Sequence, residues 1–380
     1  VRKRQLLLAT ALLAALVLGV VVGAGADGDP PRPDPVASSD APAAPAVEEA
    51  VYAHTHEGTL SEAVAEHPYR IYVPNSEGDT VDVIDPDSAE IVRSFPVGGL
   101  PQHVTPSYDL RSLWINSNAG NTVQRIDPET GRTDGEPIPV DAPYNLYFTP
   151  DGESAIVVAE RLQRLDFRDP ETMELQESVD VPCEGVNHMD FSPEGDYLIA
   201  SCEFADAMIK VDLERRELVD RLELGDGTGM PQDVRLAPDG ETFYAADMVA
   251  DGVHVIDGDD FRRRDFIPTG AGAHGLYPSR DAESLYVSNR DEGSVSVLDF
   301  ESGRELDRWE IPGGGSPDMG GVSPDGDTLW LTGRYDSEVY AFDTETGEVT
   351  AQIPVGAGPH GLAVWPQPGR YSLGHTGNMR

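Results

Sequence analysis

At 380 residues, with 39 glycines, 31 prolines and 7% aromatic residues, the chain is too rich in turn formers for a long helical bundle, and its 39% hydrophobic content excludes disorder throughout. The formal net charge of −41, with lysine only at Lys3 and Lys210, opposes binding to nucleic-acid phosphates and anionic lipid headgroups, which requires neutralisation by Lys or Arg. No nucleic-acid partner is expected, and the same acidity suits solubility at high salt.

The N terminus carries Arg2, Lys3 and Arg4, then an apolar run over 6–23, then Ala24-Gly25-Ala26. That layout marks residues 1–26 as a targeting segment, and two readings stay open: a cleaved signal peptide or an uncleaved signal anchor. Either one takes the protein out of the cytoplasm, secreted or held to the membrane only by this segment. Residues 27–50, mostly Pro, Ala, Asp and Ser, offer little to bury and read as a disordered linker. An N-terminal extension, 51–68, follows. His54 and His56 share one side of an extended segment there, two candidate metal ligands without a third.

From residue 69 onward a repeat governs the chain. β-rich runs recur at 71–75, 113–117, 156–160, 198–202, 243–247, 285–289 and 329–333. After each comes an alternating run ending in aspartate, at Asp85, Asp127, Asp166, Asp212, Asp257, Asp299 and Asp343, where a side-chain oxygen can cap the next turn. A third and a fourth strand complete each unit, the fourth ending in turns such as Pro150-Asp151-Gly152 and Pro324-Asp325-Gly326. Four strands repeated about every 40 residues make one propeller blade. The first repeat begins at its second strand, and residues 361–365 supply an innermost strand with no blade after it. The expected fold is therefore all-β, a seven-bladed β-propeller over 69–366, closed by pairing of the C-terminal strand with the N-terminal blade. The tail, 367–380, is expected to fold back across the closed blade and shows no chemistry at this level.

The units Ile71-Tyr72-Val73-Pro74-Asn75, Leu285-Tyr286-Val287-Ser288-Asn289, Gly358-Pro359-His360-Gly361 and Ser323-Pro324-Asp325-Gly326-Asp327 resemble the repeat of the YVTN family of bacterial β-propellers, the YncE-like group. The resemblance covers about residues 69–366 and implies the propeller fold. Related propellers serve as binding scaffolds, lactonase-like enzymes and metal-containing reductase domains, among them that of nitrous oxide reductase, whose copper is held by histidines. Glu160, Cys202 and Asp247 stand where the family prefers asparagine.

Aligning the junction between each outermost strand and the next innermost strand gives one position per blade: His103, Asn145, His188, Asp233, His274, Asp318 and His360. All are polar and belong to the loop face that carries ligands in propellers. A histidine here can simply fix its loop; the alternation of His and Asp from 188 to 360 favours charge pairing or ligation instead. His103, His188, His274 and His360 are the candidate ligands of a divalent transition metal. Arg161, Arg290 and Arg334 occupy equivalent places after the second strand, aimed at the same funnel, and would attract a small anionic ligand. Cys183 and Cys202 are the two cysteines, and in an exported chain a disulfide is expected.

No serine-nucleophile motif, P-loop or dinucleotide fingerprint stands in a suitable setting. The residues thus point to a monomeric, extracytoplasmic binding scaffold that holds a small ligand, a metal or an extracellular protein partner at its His/Asp-lined funnel. The alternative is a lactonase-like hydrolase acting on an anionic substrate, with a ring His or Asp as general base or metal ligand.

Overall fold

Short β-branched and aromatic runs separated by Asp and Gly turns can only zigzag, and in the computed structural model, which describes residues 50–380, they form seven antiparallel sheets. The expected targeting segment 1–26 and the linker up to residue 49 lie outside the described residues. Among the described residues no helix is long and apolar enough to cross a membrane.

The first blade runs outward from Ala363–Trp365 through Arg70–Asn75 and Thr80–Asp85 to Glu90–Pro96. Its innermost strand comes from the far end of the chain, with Arg70 opposite Trp365 and Tyr72 opposite Ala363, which closes the ring as the repeat order requires. The other innermost strands are Pro101–Pro106, Asn145–Phe148, Val186–Phe191, Pro231–Leu236, Ala273–Pro278 and Pro317–Val322. They are buried along almost their whole length because blades press on both of their faces, whereas outermost strands such as Arg132–Pro139 face solvent. The core lies between blades: Tyr147 and Phe167 of the third pack with Phe191 and Ile209 of the fourth. Each such aromatic contributes about 2–3 kcal/mol by its burial.

The capping aspartates act as expected at most repeats. Asp127 Oδ1 accepts the Glu129 amide at 2.8 Å, and Asp343 Oδ1 accepts that of Thr346 at 2.8 Å. The third blade departs from this. Its strand continues through Asp166 to Arg168, and Asp169 caps the turn instead, accepting the Thr172 amide at 2.7 Å. Asp166, fully buried, is held by Arg164 at 2.8 Å and Arg168 at 3.1 Å, so burial there is compensated by two guanidinium groups. In the fourth blade a disulfide joins Cys183 to Cys202, with Cα atoms 5.1 Å apart. It ties the loop leading into Val186–Phe191 to the end of Tyr197–Cys202.

The tail goes further than the closed blade. Ser372–Gly374 adds to the inner edge of the third blade, where Gly374 pairs with Tyr147, and Asn378–Met379 returns beside it, making that sheet six-stranded. Leu373 and Met379 are buried by this hairpin. The apolar side chains and the unused edge of Asn145–Phe148 explain why the tail enters the ring instead of lying on it.

Candidate functional site

Six ring positions sit within the first three residues of an innermost strand and His360 in the segment leading into Ala363–Trp365, so each blade supplies one side chain to the ring. His103, Asn145, His188, Asp233, His274, Asp318 and His360 are all buried, none more than 3% exposed. The packing is close enough to dictate backbone chemistry. A Cβ at Gly361 would stand 1.9 Å from His103 Nδ1, so only glycine lets the ring lie over that strand.

An eighth residue, missed from the sequence, joins them. The short turn His375–Gly377 at the hairpin tip places the His375 ring 4.4 Å from that of His188 and 4.9 Å from that of His103. The hairpin is anchored below by Asp190, whose Oδ1 accepts from Asn378 Nδ2 at 3.0 Å and Arg380 Nη2 at 2.9 Å. Gly374, at φ +105°, allows the close approach: a Cβ there would meet the Leu146 carbonyl oxygen at 2.4 Å. The sequence does carry a trace of this. Gly374-His375 shares the glycine-flanked setting of His274-Gly275 and His360-Gly361.

The donors fall into two triads. His188, Asp233 and His375 each bring one ligand atom within 4.8 Å of the other two, and the same holds for His274, Asp318 and His360. Between His188 and His375 stands the Asn145 amide, with Nδ2 2.9 Å from His188 Nδ1 and Oδ1 3.2 Å from His375 Nδ1. His375 Nε2 is 3.5 Å from Asp233 Oδ1. In the second triad His274 Nδ1 is 3.0 Å from Asp318 Oδ1, and His360 Nε2 is 3.6 Å from Asp318 Oδ2. His103 lies between the triads, its ring 4.7 Å from that of His360.

Burial and mutual repulsion set the charge of this cluster. Desolvation first, then neighbouring imidazoles and guanidinium groups, hold His103, His188, His274 and His360 well below the ordinary imidazole value of 6.5, and burial likewise lowers His375. All five are neutral at pH 7. Burial alone would raise Asp233, but the Arg235 charge and the His375 contact outweigh it and keep the carboxylate ionised. Neutral imidazoles with a carboxylate form the donor set that zinc, copper and ferrous iron take. Both nitrogens of His103, Nε2 of His188 and of His375, and Nδ1 of His360 are buried without a hydrogen bond among the described residues. Each such orphan costs about 1–3 kcal/mol, which a metal ion would offset. The residues present therefore fit a metal. His54 and His56 belong to neither triad.

The three arginines separate. Arg290 is buried against Asp318 and His274. Arg334 bonds Ser76 Oγ at 3.0 Å and the Gly358 carbonyl at 3.1 Å, and its charge helps depress His103, His274 and His360. Arg161 does not join them, which corrects the equivalence read from the repeats. It lies in the exposed 3-10 turn Glu160–Leu162, which swings it to the Asn118 carbonyl at 2.8 Å and Asn121 Oδ1 at 3.3 Å in the neighbouring blade. That turn instead half-buries Glu160, whose carboxyl burial and the nearby Glu203 push up to about 7. Glu203 is raised by burial too, and Tyr144 covers the imidazoles with its ring 5.5 Å from that of His103.

Over residues 38–368 the chain matches the profile of the YNCE-like β-propeller family. No curated protein matches it in sequence. Among solved structures it is similar to hydrazine synthase of Kuenenia stuttgartiensis, with 16% identity and a TM-score of 0.63, covering 75% of this chain and 98% of that one. It is also similar to a functionally unknown protein from Desulfotomaculum acetoxidans, with 15% identity and a TM-score of 0.65, covering 78% and 98%. Virginiamycin B lyase from Staphylococcus aureus aligns at 14% identity and a TM-score of 0.56, covering 67% and 84%. At these identities the likeness concerns the fold.

Proposed function

The chain belongs to the YNCE-like β-propeller family, and from that premise we propose that it is a non-catalytic binding scaffold holding a divalent transition metal where the channel ring meets the C-terminal hairpin. One observation carries the reading: buried, neutral imidazoles from separate blades and from the tail converge, with nitrogens otherwise unsatisfied, on an ionised carboxylate. His375 ligates through Nε2, its Nδ1 proton held by Asn145 Oδ1, and Asp233 through Oδ1, with His103 alongside; His188 joins through Nε2 at the cost of the hydrogen bond that its Nδ1 accepts from Asn145 Nδ2. Cys183 and Cys202 offer no thiolate because they are bridged, so the set is nitrogen and oxygen only. The buried disulfide also supports an oxidising, extracytoplasmic setting. Arg334 at the mouth favours a small anion as any further ligand.

Purified protein, stripped with a chelator and titrated calorimetrically with Zn²⁺, Co²⁺ and Cu²⁺, is expected to take up one of these ions tightly. His188→Ala is expected to abolish that uptake while leaving the β-sheet circular dichroism unchanged. Absence of uptake at micromolar metal overturns the reading.

A hydrolase reading is favoured by one feature, the Glu160 carboxyl near pKa 7 beside Tyr144 and Glu203, poised for general acid–base work. Under it a panel of lactones and esters is turned over by the wild type and not by Glu160→Gln. Turnover that survives the substitution removes it.

A further inference from the structure

The two triads are alike in composition, two imidazoles and one aspartate each, yet they differ in what already occupies them. Arg290 extends from the end of Ser284–Asn289 into the second triad. Its Nη2 touches both His274 Nε2 and Asp318 Oδ1, and its Nε lies 3.1 Å from the same carboxylate oxygen. The guanidinium thus engages one nitrogen of His274 and one oxygen of Asp318, and sets a fixed positive charge in direct contact with two of the triad's three candidate ligands. The first triad also has an arginine nearby, but its placement is different. Arg235 approaches Asp233 from Oδ2 at 3.6 Å, while Oδ1 faces His375 Nε2 at 3.5 Å.

We propose that Arg290 is a built-in cation filling the second half of the channel site, so that the chain binds a single metal ion, at His188, Asp233 and His375, and excludes a second ion from His274, Asp318 and His360. The inference rests on the metal reading above and adds to it the residue that sets stoichiometry. The argument is electrostatic. A guanidinium stays charged at every pH the fold survives, and a divalent ion placed beside it would face a buried positive charge in a poorly screened interior. Asp318 is neutralised by Arg290 and has no net charge left to offer a second cation. Removing the charge without adding bulk leaves two imidazoles and a carboxyl group, the same residue types as in the first triad.

Arg290→Gln tests this, with Arg290→Lys as the control that keeps the cation. Metal content is read by inductively coupled plasma mass spectrometry after equilibration with excess Zn²⁺ and desalting, and Cu²⁺-loaded samples are read by electron paramagnetic resonance. The expected result is one ion per chain in the wild type and in Arg290→Lys, and two in Arg290→Gln, with the copper signal broadened or lost through coupling of two nearby ions. One ion in a folded Arg290→Gln overturns the proposal, and Arg290→Met, uncharged and of similar length, repeats the test if the glutamine variant does not fold. The wild type alone is also decisive, because a second ion taken up at excess metal shows that the guanidinium excludes nothing. No ion at all in the wild type is a different outcome, which defeats the metal reading and this inference with it.

Discussion

Asn145 serves two imidazoles with one amide. A neutral imidazole that accepts a hydrogen bond at Nδ1 carries its proton on Nε2, and one that donates from Nδ1 presents a lone pair at Nε2. With Nδ2 toward His188 and Oδ1 toward His375, the amide prepares His375 as a ligand and leaves the Nε2 proton on His188. Rotating the amide reverses the assignment, so asparagine prepares one imidazole at a time. A carboxylate would accept from both. Asn145→Asp is therefore expected to tighten metal binding by about 10-fold or more, the size of effect that outer partners of ligating histidines exert. Competition with a chromophoric chelator measures it, and an unchanged or weaker affinity shows that the amide does not set the tautomers. The sequence alignment found Asn145 as a ring position, but its chemistry depends on having an imidazole on each side, one of them 230 residues away.

At the scale of elements, the hairpin 371–380 is both a plug and a ligand carrier. Its strand fits against Asn145–Phe148 only because residue 374 has no side chain, since any Cβ would press on the Leu146 carbonyl at 2.4 Å. Gly374→Val is expected to expel the hairpin, freeing the tail to trypsin at Arg370 and weakening metal binding at least as much as loss of His375 alone, while the blade closure by Ala363–Trp365 persists. Limited proteolysis with mass spectrometry reads the release, and a tail that stays protected contradicts it. The disulfide acts in the fourth blade, at the end of its two inner strands. Its 19-residue separation constrains the unfolded chain by roughly 3 kcal/mol, so full reduction is expected to lower stability by about that amount. Denaturant unfolding with and without reductant checks it.

For the whole molecule, the channel cluster links folding to pH. The five imidazoles have folded-state values below 6.5, close to the value they regain on unfolding. Between those two values the unfolded chain binds more protons, so stability rises with pH through that window; it is fully present above about pH 6.5 and is lost as pH falls toward the folded-state values. Each imidazole contributes up to about 1.4 kcal/mol per pH unit, and Asp233, held ionised, adds a loss of the same sign below its ordinary 3.8. The metal-free protein is expected to melt at a markedly lower temperature at pH 5 than at pH 7. A flat melting temperature across that range shows that the cluster is hydrated or already protonated in the fold. The guanidinium groups of Arg235 and Arg290 face the same imidazoles and stay charged over this range, so they do not alter the sign.

What the sequence determined by itself is whatever repeats. Seven copies of one local pattern, each with its own turn chemistry, specify four-stranded blades, and the missing innermost strand at the start demands the one supplied at 361–365. Ring positions followed from the same periodicity, because a residue at a fixed place in every blade faces the same axis. What does not repeat had to wait for the tertiary structure. Arg161 aligns with Arg290 and Arg334, but a single 3-10 turn, a local departure from the repeat, sends it to another blade. Asp166 aligns with the capping aspartates, but two arginines on its own strand make it a buried counter-ion. His375 lies beyond the last repeat, so no period could place it, and its position is decided by an unused strand edge and a buried aspartate contributed by distant parts of the chain. The scaffold is encoded locally and many times over. The chemistry at its centre comes from contacts between residues far apart in sequence, which only closure of the ring brings within reach.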